Sequence, residues 1–263
     1  MPFLTALRGE LFRQTVIWRA YRFSSLGSIV TLSLAFVILI LTFRSLAWSQ
    51  GVAYGTDEAL AALVGVLIWN LCASSLGGIA YMLSNEAEAG TLEMMLLSPR
   101  QMQITVFIRA IAMSARQLFD TTIMGLILIL LLGLRPQATG QTILITFLTL
   151  VGAWGIGFAF GGLALVYKSV TRIASLVANL AIFASGALVP LNSLGEWFTV
   201  IRLGVPTALG IDLLRKTTIE GVNVANGEIV VLLIQTLLLI VIGLLIFQWG
   251  NNRARQLGSL SAY

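Results

Sequence analysis

Six apolar runs dominate this chain and constrain its fold more than any other feature. Each run is close to the roughly 20 residues that an α-helix needs to cross the hydrocarbon of a bilayer. The runs cover residues 26–46, 59–83, 119–134, 142–166, 173–191 and 229–249. Only helices and closed barrels satisfy the backbone in lipid, and these runs are too long and continuous for barrel strands. The sequence therefore predicts an all-α integral membrane protein with six transmembrane helices.

The composition excludes several functions. The chain is 58% hydrophobic and only 10% charged, whereas a soluble domain is about 25% charged. It contains no histidine, so we expect neither a metal site nor a Ser-His-Asp triad. The single cysteine, Cys72, provides no disulfide framework. The net charge of +5 comes from arginine, and in a membrane protein this pattern reports orientation rather than nucleic-acid binding.

The arginines and lysines predict the orientation of the spans. With both termini inside, the cytoplasmic segments hold eleven of these residues and the outside segments hold five. Because positive charge concentrates on the cytoplasmic side, the chain is predicted to be N-in and C-in. We expect residues 26–263 to form one six-helix domain. The fourth span contains Gly157-Phe-Ala-Phe-Gly161, a spacing that permits close helix contact, although glycine is common enough in membrane helices for chance to give it.

Residues 1–25 predict an amphipathic helix on the cytoplasmic membrane surface. Leu4, Leu7, Leu11 and Trp18 fall on one helical stripe. Arginines lie beside or opposite that stripe, where they would meet anionic headgroups. The alternative is a plain positively charged flank of the first span.

The segment between the fifth and sixth spans, residues 188–228, is too long for a tight turn and too apolar for a solvated loop. Prolines and glycines divide it into short pieces, and Trp197 suits the membrane interface. We predict a helical hairpin that dips into the outer leaflet. An amphipathic helix that lies flat outside fits the same residues.

No energy source is evident within the chain. The nearest approach to a phosphate-binding loop, Gly162–Ser169, has Tyr167 where the second glycine is needed. An ion-coupled carrier should have carboxylates deep in its spans, and only Asp120 is a candidate. Arg116 precedes it by four residues, so an ion pair on one helix face explains it more simply than a proton relay. Asn70, Asn179 and Gln235 are expected to be interhelical hydrogen bonders more than ligands.

The most acid-rich segment of the chain, residues 84–100, lies between the second and third spans. Asn85 and Glu88 form a capping-box pattern that predicts a helix start there. Gly90 allows a break, and Ser98-Pro99 stops whatever follows. The segment is therefore predicted to be a short helix or helix pair at the cytoplasmic face. Beside its acids it carries apolar residues that suit a partner's groove: Leu92, Met94, Met95, Leu96 and Leu97.

This segment, EAEAGTLEMMLLSPRQ, closely resembles the E-x-E-x-G-T-L-E-x-L-x-x-S-P signature of type-2 ATP-binding-cassette (ABC) exporter permeases. A second matching block is Ser185-Gly-Ala-Leu-Val-Pro190, Trp197, Pro206 and Asp212-Leu-Leu-Arg215. The chain departs from the family at Val205, where asparagine is frequent, and at Gly195, where proline is common. Six spans and an N-terminal amphipathic helix also agree, so the resemblance covers essentially the whole chain.

The resemblance implies specific roles. A coupling helix within residues 84–100 would dock in a groove of a separate ABC ATPase through Glu86, Glu88, Gly90, Thr91, Leu92, Glu93, Met94 and Leu97. The N-terminal helix would touch the membrane face and the same ATPase through Arg13, Arg19 and Arg22. An external gate would involve Gly186, Pro190, Trp197 and Pro206, and Asn70 and Asn179 would lie on the substrate path.

The resemblance also implies a working unit of two permeases and two ATPases in a prokaryotic inner (plasma) membrane. ATP and Mg²⁺ would be bound by the partner ATPase, so this chain would need no cofactor and would catalyse no reaction. The predicted function is export of an amphiphilic or hydrophobic compound, such as a drug-like molecule, a lipid or a lipid-linked glycan. The alternatives are a secondary carrier driven by an ion gradient and, less favoured, a membrane-embedded enzyme or scaffold.

Overall fold

The structure is a computed structural model that describes residues 2–49, 51, 54–97, 102–137, 139–167, 170–187 and 205–257. All the regular secondary structure of this part of the chain is helical. The helices are α1 (Pro2–Ala20), α2 (Arg22–Ser49), α3 (Thr56–Glu88), α4 (Leu92–Leu97), α5 (Met102–Leu132), α6 (Gly140–Val166), α7 (Val170–Ala184), α8 (Pro206–Ile219) and α9 (Asn226–Leu257). The predicted all-α class is confirmed.

Within the described residues, five helices are long and apolar enough to cross a membrane, namely α2, α3, α5, α6 and α9. They coincide with the first four predicted spans and the sixth. The fifth predicted span, residues 173–191, is described only through α7, which has 15 residues. At 1.5 Å per residue α7 covers about 22 Å, less than the roughly 30 Å of hydrocarbon. The rest of that prediction, residues 188–191, lies outside the described residues.

Among the described helices, the most extensive contact is that of α6 with α9. A Cβ atom added to Gly243 would lie 2.0 Å from the carbonyl oxygen of Gly155, and one added to Gly250 would lie 2.0 Å from that of Gly162. The glycines therefore recur every seven residues on both helices, which lets the two backbones touch along their length. Because residue numbers increase together across the contact, the two helices run parallel.

The Gly157–Gly161 spacing, which permits close contact but could also arise by chance, does lie at a close helix contact, and the partner is α3. A Cβ atom on Gly157 would lie 2.1 Å from the carbonyl oxygen of Ser75, and one on Gly161 would lie 2.7 Å from a methyl group of Ile79. One face of α6 thus packs on α3 and another on α9, so α6 is the central helix of the bundle. Such close backbone contact favours motion of these three helices as one body.

One end of the bundle is formed by α1, α4, the start of α5 and the ends of α3, α6 and α9, and we call it the coupling end. Its buried core includes Leu83, Leu92, Met102, Phe158 and Phe247. The Phe158 ring contacts the Phe247 ring edge-on at 5.7 Å between centroids. This core joins α4 to the spans, so α4 is packed on the bundle rather than free in solvent.

At the opposite end α8 packs among α3, α6 and α9. Gly210 of α8 lies so close to Thr149 that a Cβ atom there would be 2.0 Å from its hydroxyl oxygen. Thr149 is the tenth residue of α6, so α8 reaches about 14 Å below the start of that helix. Leu209, Leu213 and Leu214 are buried there. Depth and burial agree with a helix that dips into the bundle, whereas residues 188–204 of the predicted hairpin lie outside the described residues.

The membrane-facing stripe predicted on α1 stays a prediction, because exposed apolar residues such as Leu4 and Leu11 are what a face directed at lipid would show. Leu4 is 69% exposed and Leu11 37% exposed, while Gln14 is buried and Glu10 is half-buried. Trp18 does lie against the bundle, with its ring edge-on to Phe119 of α5 at 5.8 Å. Glu10 faces inward because Arg109 of the neighbouring helix α5 pairs with it.

Candidate coupling site

The site begins where α3 ends and the chain turns into α4. The helix closes with the Ala89 N–H on the carbonyl of Asn85, and Gly90 follows with a φ of +69°. This left-handed conformation is nearly free for glycine and costs other residues about 1–2 kcal/mol. The Thr91 N–H then donates to the carbonyl of Glu86 at 2.9 Å. The two bonds fix the angle at which α4 leaves α3.

The predicted helix start at Asn85 is wrong. Asn85 lies within α3, which continues from Thr56 to Glu88 without a break. The apolar core of the second span carries this helix past Asn85, so the capping-box pattern does not start a helix there. The helix ends just before Gly90. The acidic residues Glu86 and Glu88 therefore belong to the last turn of a long span, and α4 alone is the short helix.

Glu86 is the centre of a set of polar contacts at this corner. Its carboxylate accepts a hydrogen bond from the Thr91 hydroxyl and another from the Arg109 guanidinium of α5. The exposed fraction is 18% for the Glu86 side chain and 13% for that of Arg109. Because little water reaches the pair, it is held more firmly than a surface ion pair.

Arg109 extends the contacts to α1. Its Nε donates to Glu10 at 3.1 Å, and the other carboxylate oxygen of Glu10 accepts from Arg13 at 2.8 Å. A continuous chain of contacts, Arg13–Glu10–Arg109–Glu86–Thr91, thus links α1, α5, α3 and the start of α4. Physically, these four elements cannot shift relative to one another without separating charges.

Helix α4 is divided between an inner and an outer face. Leu92 and Met95 are 2% and 8% exposed in the core of the coupling end, whereas Met94 is 66% exposed. The predicted apolar surface is therefore smaller than the sequence suggested, since two of its members hold α4 to the bundle. The side chains of Glu93, Leu96 and Leu97 lie outside what the structure describes.

A comparison with protein families bears directly on this corner. The family described as ABC-2 type transporter matches residues 10–219, which include α1 from Glu10, the corner and α8. The chain belongs to the ABC-2 type transporter family. This is the family of permeases, the transmembrane subunits of type-2 ABC transporters. A search of curated proteins finds no match.

In this ABC-2 permease the three predicted surface arginines lie along α1 and the start of α2. Arg13 is joined to Glu10, and Arg19 is exposed beside α5. Arg22 is exposed too, with its guanidinium carbon 5.3 Å from the centre of the Phe23 ring. They remain available to headgroups or to a partner, apart from the one contact of Arg13 to Glu10.

At the opposite end of the permease, Arg215 fastens the turn that follows α7. Its Nε donates to the Ala61 carbonyl of α3, and its Nη2 donates to the Ala187 carbonyl, each at 3.0 Å. Gly186 adopts a φ of +69° in this turn. A Cβ atom on Gly65 would lie 2.2 Å from the Ala187 oxygen, so the turn lies directly on α3.

The other predicted gate residues are only partly described. Pro206 is the first residue of α8, a position that proline favours because its missing N–H needs no partner there. Pro190 and Trp197 lie outside the described residues. Arg215 belongs to the second block that resembles the family, but the resemblance assigned it no role. Its hydrogen bonds to the carbonyls of Ala61 and Ala187 now give it a structural one.

The two predicted path residues are not in one place. Asn70 lines a cavity between α1, α2, α3 and α5, and its amide donates to the Thr121 hydroxyl of α5 at 3.2 Å. Asn179 is exposed on α7 and does not line that cavity. Asn70 is thus an interhelical hydrogen bonder that also faces open space. Asp120 pairs with Arg116 at 3.8 Å, as the sequence predicted.

Sequence reasoning missed the roles of Glu10 and Arg109. Arg109 counted only toward orientation, although an arginine eight residues into a largely apolar helix needs a counter-charge. That signal would have prompted a search for acids on neighbouring segments. It could not have identified Glu10 and Glu86 as the partners, because the contacts span 99 and 23 residues of chain.

Proposed function

We propose that this permease is the membrane subunit of an ATP-driven exporter and that the corner between α3 and α4 receives the stroke of a separate ABC ATPase. The observation that carries the proposal is the contact chain through Arg109. It connects the predicted docking helix to two spans and to α1, which is what a force-transmitting element requires.

The ATPase would dock on the outer face of the corner, where Met94 and Glu88 are exposed. A methionine is flexible and polarizable, so it fits a groove on a partner with little specific geometry. The exposed arginines of α1 and α2 would contact the same subunit and the anionic headgroups beside it. ATP and Mg²⁺ would be held by the ATPase, since this sequence has no phosphate-binding loop.

Closure of the ATPases would displace α4. The Gly90 turn and the Glu86–Thr91 bond would pass the movement to α3, and Arg109 would pass it to α5 and α1. Because α3 packs closely on α6 and α6 on α9, those spans would follow together. Two copies of the chain would enclose the path, with the Arg215 turn at its outer end as an external gate.

The substrate class would be amphiphilic or hydrophobic compounds, such as drug-like molecules, lipids or lipid-linked glycans, moved outward across a prokaryotic inner membrane. A carrier driven by an ion gradient is less well supported. Its one candidate carboxylate, Asp120, is already paired with Arg116, and the Arg116 guanidinium also donates to Ser25 at 3.0 Å.

Transport in inside-out vesicles tests the proposal. The vesicles would contain the permease with its ATPase and one of three probes: a rhodamine dye, a fluorescent phospholipid or a fluorescent glycolipid. We expect ATP to drive movement of at least one probe in the presence of an uncoupler. Movement that ignores ATP and stops with the uncoupler would overturn the proposal in favour of an ion-coupled carrier.

A further inference from the structure

A cavity of about 700 Å³ with a mixed polar and apolar lining lies between α1, α2, α3 and α5, and it shares Arg13 and Glu86 with the corner described above. Asn70, Ser74 and Asn85 of α3 line one wall, and Arg116, Gln117 and Asp120 of α5 line another. Ser74 follows Asn70 by four residues and Asp120 follows Arg116 by four residues, about one helical turn in each case, so the lining runs along both helices. The cavity is therefore a groove parallel to the spans.

The groove reaches deep into the membrane region. Asn70 and Glu86 mark its two ends on α3. They are sixteen positions apart, which corresponds to about 24 Å along the helix. Glu86 lies at the coupling end, whereas Asn70 lies near the middle of a 33-residue span. Polar groups at such depth are costly when they face lipid chains, so the groove must hold water or a polar ligand.

The charged residues of the groove are compensated. Arg116 is bonded to Ser25 and paired with Asp120, while Glu86 is held by Arg109. Arg13 is paired with Glu10. The charges that line the groove, two arginines and two carboxylates, sum to zero. An ion would therefore gain little there, but a group that forms hydrogen bonds without net charge would not be repelled.

Unused hydrogen-bonding groups remain in the groove. Within the described part of the chain, the amides of Gln117 and Asn85 make no hydrogen bond, although both line the groove. Three methionines lie among the polar residues on these same two helices, Met82 on α3 and Met113 and Met124 on α5. Leu32 both lines the groove and is 39% exposed, so an apolar chain would leave on that side. Polar groups interspersed with flexible apolar side chains suit an amphiphile.

We propose that this groove binds the head of a net-neutral amphiphile, zwitterionic or glycosylated, taken from the leaflet on the coupling side. Gln117 hydrogen-bonds the head, and Ser74 of α3 sets the width of the groove beside it. The apolar chain lies along Leu32 and the methionines. As the substrate entry site, the groove depends on the proposed function; as a lipid-binding site, it stands on the geometry alone.

Photolabelling of the permease–ATPase complex in nanodiscs tests the groove. The probes are diacyl lipids with one photoreactive chain and three heads: phosphatidylethanolamine, glucosyl and phosphatidylglycerol. We expect the two neutral heads to label peptides of α3 and α5, with the anionic head at least fivefold weaker. Gln117→Leu, which removes one hydrogen bond, should lower labelling by about five- to tenfold.

Thr122→Val is the matched control, because Thr122 is exposed on the same helix and does not line the groove. It should label like the wild type. Ser74→Phe should abolish labelling by filling the groove. The proposal would be overturned if all three heads labelled the permease equally. It would also be overturned if Gln117→Leu were labelled as strongly as the wild type.

A second copy of the chain is the competing occupant, and a cysteine at position 74 decides between the two. Because Cys72 is fully buried, Ser74→Cys provides the reactive thiol. Protection of that thiol by the neutral lipids supports the groove, and cross-linking to a second copy without such protection overturns it. Lipid labelling without ATP-driven transport would overturn only the proposed function, whereas transport without labelling would overturn only the groove.

Discussion

The guanidinium of Arg109, eight residues into α5, donates a hydrogen bond to the carboxylate of Glu86, two residues before the end of α3. The same guanidinium holds Glu10 of α1. One cation therefore stabilises two carboxylates on two other helices. If it is removed, both acids remain half-buried and close together, and Arg13 still pairs with Glu10 while Glu86 loses its ion pair.

Arg109→Met is expected to destabilise the permease by about 2–4 kcal/mol, because breaking one side of a buried ion pair leaves an uncompensated charge. The free energy of unfolding is measured by titration of mixed micelles with sodium dodecyl sulfate. Adding Glu86→Gln to Arg109→Met should recover part of the loss. Arg13→Met is the control, since that arginine is 42% exposed and its pair should contribute no more than about 1 kcal/mol. Equal losses for the two arginines would contradict this account.

Thr91→Pro is expected to uncouple transport while the spans stay folded. Proline removes the N–H that donates to the Glu86 carbonyl, and it disfavours the left-handed conformation of the preceding Gly90. Thr91→Ser retains both donors and is the control. The measurement is probe export per ATP hydrolysed by the reconstituted complex. We expect a drop of more than tenfold for the proline variant, and an unchanged ratio would show that the angle between α3 and α4 is irrelevant.

Arg215→Lys is expected to loosen the turn after α7. A lysine ammonium cannot bridge the carbonyls of Ala61 and Ala187 as the planar guanidinium does, so about 1–2 kcal/mol of local stability is lost. Amide hydrogen exchange at Ser185–Ala187 should accelerate by about tenfold or more. Lys216→Met is the control. It removes the half-exposed ion pair between Lys216 and Glu228, and it should leave the amide exchange of the turn unchanged. If amide exchange at Ser185–Ala187 were similar in the two variants, Arg215 would not hold this turn in place.

Gly243→Ala is expected to cost about 1–3 kcal/mol, because the added methyl group would meet the carbonyl of Gly155 and push α9 from α6. Gly27→Ala is the control, since nothing lies within 4 Å of a Cβ atom there. That change should be neutral or stabilising by up to about 1 kcal/mol. Unfolding in mixed micelles compares the two, and equal stability would mean that α6 and α9 do not touch as described.

The sequence predicted the fold well because lipid leaves few choices. Runs such as 26–46 and 142–166 must be helices once they are buried in hydrocarbon, and both are helices in the structure. The Gly157–Gly161 spacing permitted a close contact without identifying its partner, and the structure provides that contact on α3. Helix ends were harder to predict, since Asn85 offered a start that the extended α3 overrides.

The coupling site could be predicted only in part. Local sequence identified the Glu86–Thr91 turn, because its glycine and its acids are neighbours in the chain. Glu10 and Arg109 needed the tertiary structure, since no local pattern relates residues 99 positions apart. The apolar residues of α4 show the same limit, because Leu92 and Met95 turn inward while Met94 turns outward.

Site-specific photocross-linking from Met94 in native membranes tests the central claim most directly. A photoreactive amino acid replaces Met94, which is 66% exposed on α4, and a second one replaces Thr122 on the exposed side of α5 as the control. The account predicts that mass spectrometry finds an ABC ATPase cross-linked to position 94 and none at position 122. Capture of no ATPase from position 94, or equal capture from both positions, would contradict it.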